Sequence, residues 1–321
     1  MENKMNSYIP IVDISTFKNG SLDQKKSIAN QILETAENSG FFYISGHGIP
    51  EELTEQAFAT SKRFFALDQQ QKASISVNTD QRGWMAQGLA TLEGSKSYDA
   101  KEIFFWGYDV DANDPDLALP MVAPNLWPNK HAPWLKQELS PYYQATCAVG
   151  GIVMRALALA FGLEEDFFEN VYKKPLARGQ LVYYPPFTAK DEASERFSAA
   201  PHTDFGVLTL LLQDNNGGLQ VRASDGNWID APPVEGTLIC NIGDLLQRWS
   251  NRRLVSTVHR VINRSGNERY SIPVFFDPHS ATKIDPCDLG VSSETSLYEP
   301  ITAGAYIAGK NTKNFSQYSE D

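Results

Sequence analysis

Beyond Gly179 the chain is cut into short β-rich runs separated by turn signals, and no other feature restricts its fold as strongly. The runs cover residues 181–184, 207–212, 219–222, 237–241, 256–262 and 270–276. Asp214-Asn215-Asn216-Gly217-Gly218 has the composition of a hairpin turn, and Asp225-Gly226-Asn227 closes another. Many short strands at this spacing predict a sandwich or jelly-roll barrel.

The first 175 or so residues have a different texture, mixed but rich in helix. Residues 9–14 read as a short extended segment. Apolar positions at Ile28, Ile32, Leu33 and Ala36 repeat at the helical period, predicting a one-sided helix over 21–38 that Gly40 stops. Phe41-Phe42-Tyr43-Ile44 is aromatic and β-branched, a strand. Further helices are expected over 51–65 and 139–161, the second turning Tyr143, Cys147, Met154, Leu157 and Phe161 to the core with Gly162 as its C-cap. No repeat, low-complexity tract or linker separates the halves. The expectation is therefore one mixed α+β domain over 1–321: a helix-rich part (1–175), a jelly-roll core (176–298) with flanking helices, and a C-terminal segment (299–321). The polar tail beyond Gly309 is expected to be loosely held.

Hydrophobic residues make up 42% and charged residues 21%, a globular composition. The formal charge of −11 and the lack of any Lys/Arg run argue against a nucleic-acid partner. Cys147, Cys240 and Cys287 are odd in number and without CxxC spacing, so neither a disulfide framework nor a thiolate zinc site is suggested. No uninterrupted apolar stretch reaches the ~18 residues of a membrane span, and the N-terminus leads into no apolar targeting region. A reduced, cytoplasmic setting with no membrane partner is expected.

Two groups of residues carry chemistry. His202, Asp204 and His259 read as a facial triad: ferrous iron accepts imidazole nitrogen together with carboxylate oxygen, and three such ligands leave three positions for other ligands and O2. In His202-Thr203-Asp204 the ligands are two apart, so on an extended strand or a small loop they can point the same way. His259 comes from a separate strand-like run. Of the five histidines, His47, His131 and His279 sit in loop-like contexts and are read as surface or turn residues. Arg269 and Ser271 share one face of the last strand, and a planar guanidinium fork plus a hydroxyl suits a carboxylate. Tyr184 could add a phenolic donor. The run Ile272-Pro273-Val274-Phe275-Phe276 makes this strand largely apolar, and a buried Arg calls for an anion.

Over nearly its whole length the chain resembles the isopenicillin N synthase-like family of Fe(II)/2-oxoglutarate-dependent oxygenases. The likeness runs through Ile9-Pro10-Ile11-Val12-Asp13, residues 39–50, Arg82-Gly83-Trp84, Lys101-Glu102-Ile103-Phe104, residues 201–212, Asn241-Ile242-Gly243-Asp244 and residues 248–261. It implies a double-stranded β-helix (jelly-roll) core with iron held by His202, Asp204 and His259. It also implies 2-oxoglutarate held through its distal carboxylate by Arg269, Ser271 and Tyr184, and Phe275 facing a small-molecule substrate. The implied activity is a dioxygenase that uses O2 to hydroxylate, desaturate or cyclise a small organic molecule, releasing succinate and CO2. Related halogenases lack the carboxylate that Asp204 supplies here. Many members carry Asn where this chain has Val182, so any hydrogen bond from that Asn is missing or replaced. Three other readings stay open: an iron oxidase of the isopenicillin N synthase type that uses no 2-oxoglutarate, a non-catalytic jelly-roll binding module, and a zinc hydrolase. The last is disfavoured because no general base accompanies the triad. Substrate choice is expected to lie in the N-terminal half and around residues 81–92, where Arg82, Trp84 and Met85 stand.

Overall fold

The computed structural model describes residues 9–89, 99–189, 191 and 197–314. The chain runs β1 (Ile11–Asp13), α1 (Leu22–Asn38), β2 (Phe41–Ser45), α2 (Glu51–Phe65), α3 (Gln69–Ala73), β3 (Gly83–Met85), β4 (Glu102–Gly107) and α4 (Leu135–Ala160). Then come β5 (Arg178–Tyr184), β6 (Ala199–His202), β7 (Leu208–Gln213), β8 (Leu219–Arg222), β9 (Trp228–Asp230), β10 (Leu238–Ile242), β11 (His259–Val261) and β12 (Arg269–Phe276). A helix, Asp244–Trp249, links β10 to β11, and another, Ala303–Asn314, follows the last strands.

Two sheets form the core, one of eight strands in the order β1-β2-β10-β7-β12-β5-β4-β3, the other β6-β11-β8-β9. Because successive side chains on a strand point to opposite faces, most strands of the large sheet serve two cores, whereas edge strand β1 buries only Val12. Tyr270, Ile272, Val274 and Phe276 of β12 pack outward with Phe104, Trp106 and Leu181 against the helices. The inward face brings Ile103, Phe105, Val182 and Tyr184 against Ala199, Leu219, Val221 and Val261 of the small sheet. The result is a double-stranded β-helix, a jelly roll flanked by helices. β1–β4, from the N-terminal part, are strands of the same large sheet as β5, β7, β10 and β12.

α1 begins with a capping box, the Ser21 hydroxyl accepting from Gln24 N while the Gln24 side chain accepts from Ser21 N. α4 is long and apolar enough to cross a membrane, but it packs against α1, α2 and β12. It starts four residues before the expected Leu139, and its buried face is turned by about one residue. Met154 and Leu157 are buried as expected, but Tyr142, Thr146, Val149 and Val153 complete the stripe. Tyr143, Cys147 and Phe161 are half-buried; the Tyr143 hydroxyl instead donates to Ala177 O at 2.8 Å.

Two further expectations need correction. The Asp214–Gly218 turn does not make a hairpin, because β7 pairs with β10 and β12 whereas β8 pairs with β9 and β11. The chain crosses there from one sheet to the other, and the Asp225-Gly226-Asn227 turn makes the true hairpin, β8–β9. Of the segment beyond Gly309, expected to be loose, the described start is held. Lys310 Nζ lies 2.9 Å from Asp244 Oδ2, and Asn311 is buried. Residues 315–321 lie outside the described residues.

Candidate active site

The small sheet places the two imidazoles. His202 ends β6, His259 begins β11, and the two are directly paired across the antiparallel ladder. Their rings lie 4.3 Å apart, with Phe41 set edge-on 5.2 Å from His259. Asp204 follows in the loop after β6, so the His-x-Asp spacing is met by a strand end and a loop rather than by one strand. Asp204 Oδ1 is 3.9 Å from His202 Nε2 and 3.8 Å from His259 Nε2, and the three candidate ligand atoms lie within 4.8 Å of one another.

The atoms around the triad fix which lone pairs are free. His202 Nδ1 faces Ala200 O at 2.6 Å and His259 Nδ1 faces Thr257 O at 3.1 Å. A carbonyl only accepts, so each Nδ1 carries the proton and each Nε2 offers a lone pair to the common space. Asp204 Oδ2 accepts from Thr209 Oγ1 at 2.5 Å and Asn241 Nδ2 at 2.8 Å, donors paired with each other across β7 and β10. Oδ1 is left to face the imidazoles. Burial, with His259 alongside, pushes the His202 imidazole down to about 4. Burial alone would raise the Asp204 carboxyl, but His259, His202 and the bonds from Asn241 and Thr209 hold it below the ordinary range. A neutral imidazole beside an ionised carboxylate is the protonation state a divalent cation requires.

β12 and β5 supply the second half of the site. Arg269 is paired with Tyr184 across the ladder, and Ser271 with Val182. All four line a cavity of about 80 Å3 that also meets His202, Asp204 and His259. Arg269 is 1% exposed, donates through Nε to Gly217 O at 2.6 Å and through Nη2 to Gln213 Oε1 at 3.1 Å, and leaves Nη1 with no partner among the described residues. Its guanidinium sits 4.8 Å from the Tyr184 ring centre. Val182 presents a methyl surface to this cavity, and Gln180, two residues back on the same face, lines it too. Phe275 lines this cavity and an adjoining one of about 100 Å3.

That adjoining space holds residues the sequence reading passed over. Lys101 and Asp99 form an ion pair at 2.8 Å, and Asp99 Oδ1 accepts from Ala200 N at 2.9 Å, the residue whose carbonyl orients His202. Burial works against the Lys101 ammonium, but Asp99, Tyr184 and Asp204 outweigh it and hold its pKa above the ordinary value. Arg178, Gln81 and Asn311 line the same space. Of the residues expected to shape substrate choice, Arg82, Trp84 and Met85 are buried and stand outside the lining of either cavity. Arg82 is instead tied to the carbonyls of Asp80 and Gln81. Residues 90–92 lie outside the described residues. A period-two reading of Lys101-Glu102-Ile103-Phe104-Phe105 would have found the half-buried lysine, since Lys101 shares a face with Ile103 and Phe105.

A jelly roll with two imidazoles and one carboxylate converging beside a buried, anion-ready arginine defines a class, the non-haem iron oxygenases. The comparisons agree. Residues 9–130 match the N-terminal model of non-haem dioxygenases in morphine synthesis, and residues 178–278 match the 2OG-Fe(II) oxygenase superfamily. A 2-oxoglutarate-Fe(II) type oxidoreductase of Emericella nidulans, hxnY, is 35% identical over 96% of this chain and 90% of its own. The 2-oxoglutarate-dependent dioxygenase citB of Monascus ruber is 32% identical over 98% and 97%. Among solved structures, a full-length Neurospora crassa protein in complex with alpha-KG superposes with a TM-score of 0.85 at 30% identity, over 95% of this chain and 96% of that one. The chain belongs to the 2OG-Fe(II) oxygenase superfamily. It is an Fe(II)- and 2-oxoglutarate-dependent dioxygenase that oxidises a small organic molecule with O2.

Proposed function

We propose that His202, Asp204 and His259 hold the iron, and that Arg269, Ser271 and Tyr184 hold the distal carboxylate of 2-oxoglutarate. The observation that carries this is the state of Arg269, a guanidinium 1% exposed in the wall of the triad's cavity. Among the described residues its partners are a carbonyl and an amide, and one nitrogen has none. A buried cation without a counter-ion is costly, so a ligand carboxylate is the fitting partner. When bound, iron and 2-oxoglutarate together activate O2 to oxidise a C–H bond, releasing succinate and CO2.

The protein's own part is placement. The carbonyls of Ala200 and Thr257 set the tautomer of each imidazole, and Thr209 and Asn241 turn Asp204 so that one oxygen is offered. The apolar side chains of Phe41, Leu211 and Val261 help keep the wall dry. Phe275, shared by the two cavities, stands where co-substrate and substrate would meet. The carboxylate of Asp204 supports hydroxylation, desaturation or ring closure over halogenation.

The same proposal takes residues 1–321 as one domain, supported by the N-terminal strands β1–β4 within the large sheet. A cytoplasmic setting without nucleic-acid or membrane partners is supported by three free cysteines and a charge of −11. Anaerobic addition of Fe(II) and then 2-oxoglutarate tests the assignment through the visible metal-to-ligand charge-transfer absorption of the chelate. Its appearance in the unmodified protein and loss in Asp204→Ala is expected. An unchanged band in that variant removes Asp204 from the ligand set.

A further inference from the structure

Next to the triad, the cavity of about 100 Å3 is lined by two cations that the chemistry above does not use, Arg178, which is buried, and Lys101, which is half-buried and also lines the triad's own cavity. The Lys101 side chain is 13% exposed and ion-paired to Asp99, itself 1% exposed. Arg178 is 7% exposed. One of its terminal nitrogens donates to Gln81 Oε1, the other lies 3.4 Å from Asp277 Oδ2, and Nε has no partner among the described residues. Its guanidinium is 5.7 Å from the Phe275 ring centre, and Phe205 and Phe105 complete an aromatic lining. Asn311, from the C-terminal helix, and Gln180 add amides.

Three properties of this wall restrict its guest. Each cation already faces a carboxylate, so an anionic guest would add a buried charge that no described side chain there balances. Lys and Arg only donate, so the guest must offer acceptor oxygens to them. Phe105, Phe205 and Phe275 line the space, so a planar ring able to lie against them is the guest whose shape suits it.

We propose that Lys101 and Arg178 form the substrate subsite, and that it takes an uncharged, single-ring molecule bearing carbonyl oxygens, a lactam or cyclic imide. The ring lies against Phe205 and Phe275, a carbonyl accepts from Lys101 or Arg178, and Asp99 keeps Lys101 selective by neutralising it. This rests on the iron and 2-oxoglutarate assignment above. The two are separated by reading the charge-transfer band in the same anaerobic sample in which probe binding is measured by calorimetry.

The probes are 2-pyridone (a neutral lactam), benzoate (an anion of similar size) and toluene (a ring without an acceptor). With the band fully developed, 2-pyridone is expected to bind at least tenfold more tightly than either of the others. Lys101→Met should cost 2-pyridone at least tenfold, scored in a sample whose band is fully developed. Asp99→Asn can still accept from Ala200 N but no longer neutralises Lys101, and should reverse the preference so that benzoate binds more tightly than 2-pyridone. That gain cannot come from misfolding. Benzoate preferred by the unmodified protein, a silent 2-pyridone titration with the band present, or an unchanged preference in Asp99→Asn would each overturn the subsite. A missing band speaks against the cofactor assignment instead.

Discussion

At Asp204 each carboxylate oxygen has its own task. Oδ2 is taken by Thr209 and Asn241, and Oδ1 faces the two imidazoles. Asp204→Ala is therefore expected to abolish succinate formation, measured with Fe(II), 2-oxoglutarate and O2 supplied. Asn241→Ala removes only an orienting donor and should weaken iron affinity about 10- to 100-fold, read by metal titration. Arg269 acts on a different ligand. Arg269→Ala should raise the apparent KM for 2-oxoglutarate on the order of 100-fold with a smaller change in kcat, because it binds a part of the co-substrate remote from the reacting atoms. An unchanged KM would make the arginine purely structural. The residues just named were legible in the sequence to different degrees. His202, Asp204, His259, Arg269 and Ser271 stand in short motifs whose spacing suggests their chemistry. Asp99, Lys101 and Arg178 come from strands or segments far from the triad in sequence, and only strand pairing brings them to it.

Among the elements, α4 and β12 approach closely at Gly150. A Cβ there would come within 2.7 Å of the Phe276 ring, which is itself stacked 4.3 Å from Tyr172. Gly150→Ala should destabilise by about 1–2 kcal/mol in urea unfolding, the overpacking cost exceeding the gain in helix propensity. The neighbouring Gly151 has nothing within 4 Å of such a Cβ, so Gly151→Ala should stabilise by up to ~1 kcal/mol. Helix periodicity located α4 but put its face one residue off, since aromatic side chains such as Tyr143 count as apolar although the hydroxyl leads them to a carbonyl. The 256–262 run likewise overstated β11. Ser256 Oγ donates to Asp244 and Thr257 Oγ1 to Ser39 O, drawing those residues out of the ladder. β-branched character alone does not report such side-chain competition.

For the whole molecule, folding and ligand binding are linked. The triad joins β6 to β11, and the arginine site joins β12 to β5 and the crossover at Gly217, so both ligands bind only the folded barrel. Each ligand at 100 times its Kd should add ~2.7 kcal/mol, a rise in Tm of roughly 4 °C for a chain of this length, and EDTA should reverse the metal's share. A Tm insensitive to both would show that neither binds. The jelly roll itself was legible because many short strands with turn signals have few ways to close. Which turn crosses between sheets was not, because Asp214–Gly218 and Asp225–Asn227 have the same local chemistry and only long-range pairing tells them apart.

The direct pairing of His202 with His259 sets where this chain can tolerate added length. One extra residue within β11 would shift its register, turn the following side chains to the opposite face and separate the imidazoles. The same residue placed beside Gly226, at the exposed β8–β9 turn, would lengthen a loop and leave the ladder intact. Insertions in such a chain should therefore accumulate at the hairpin tips, and the seam between β6 and β11 should keep its length.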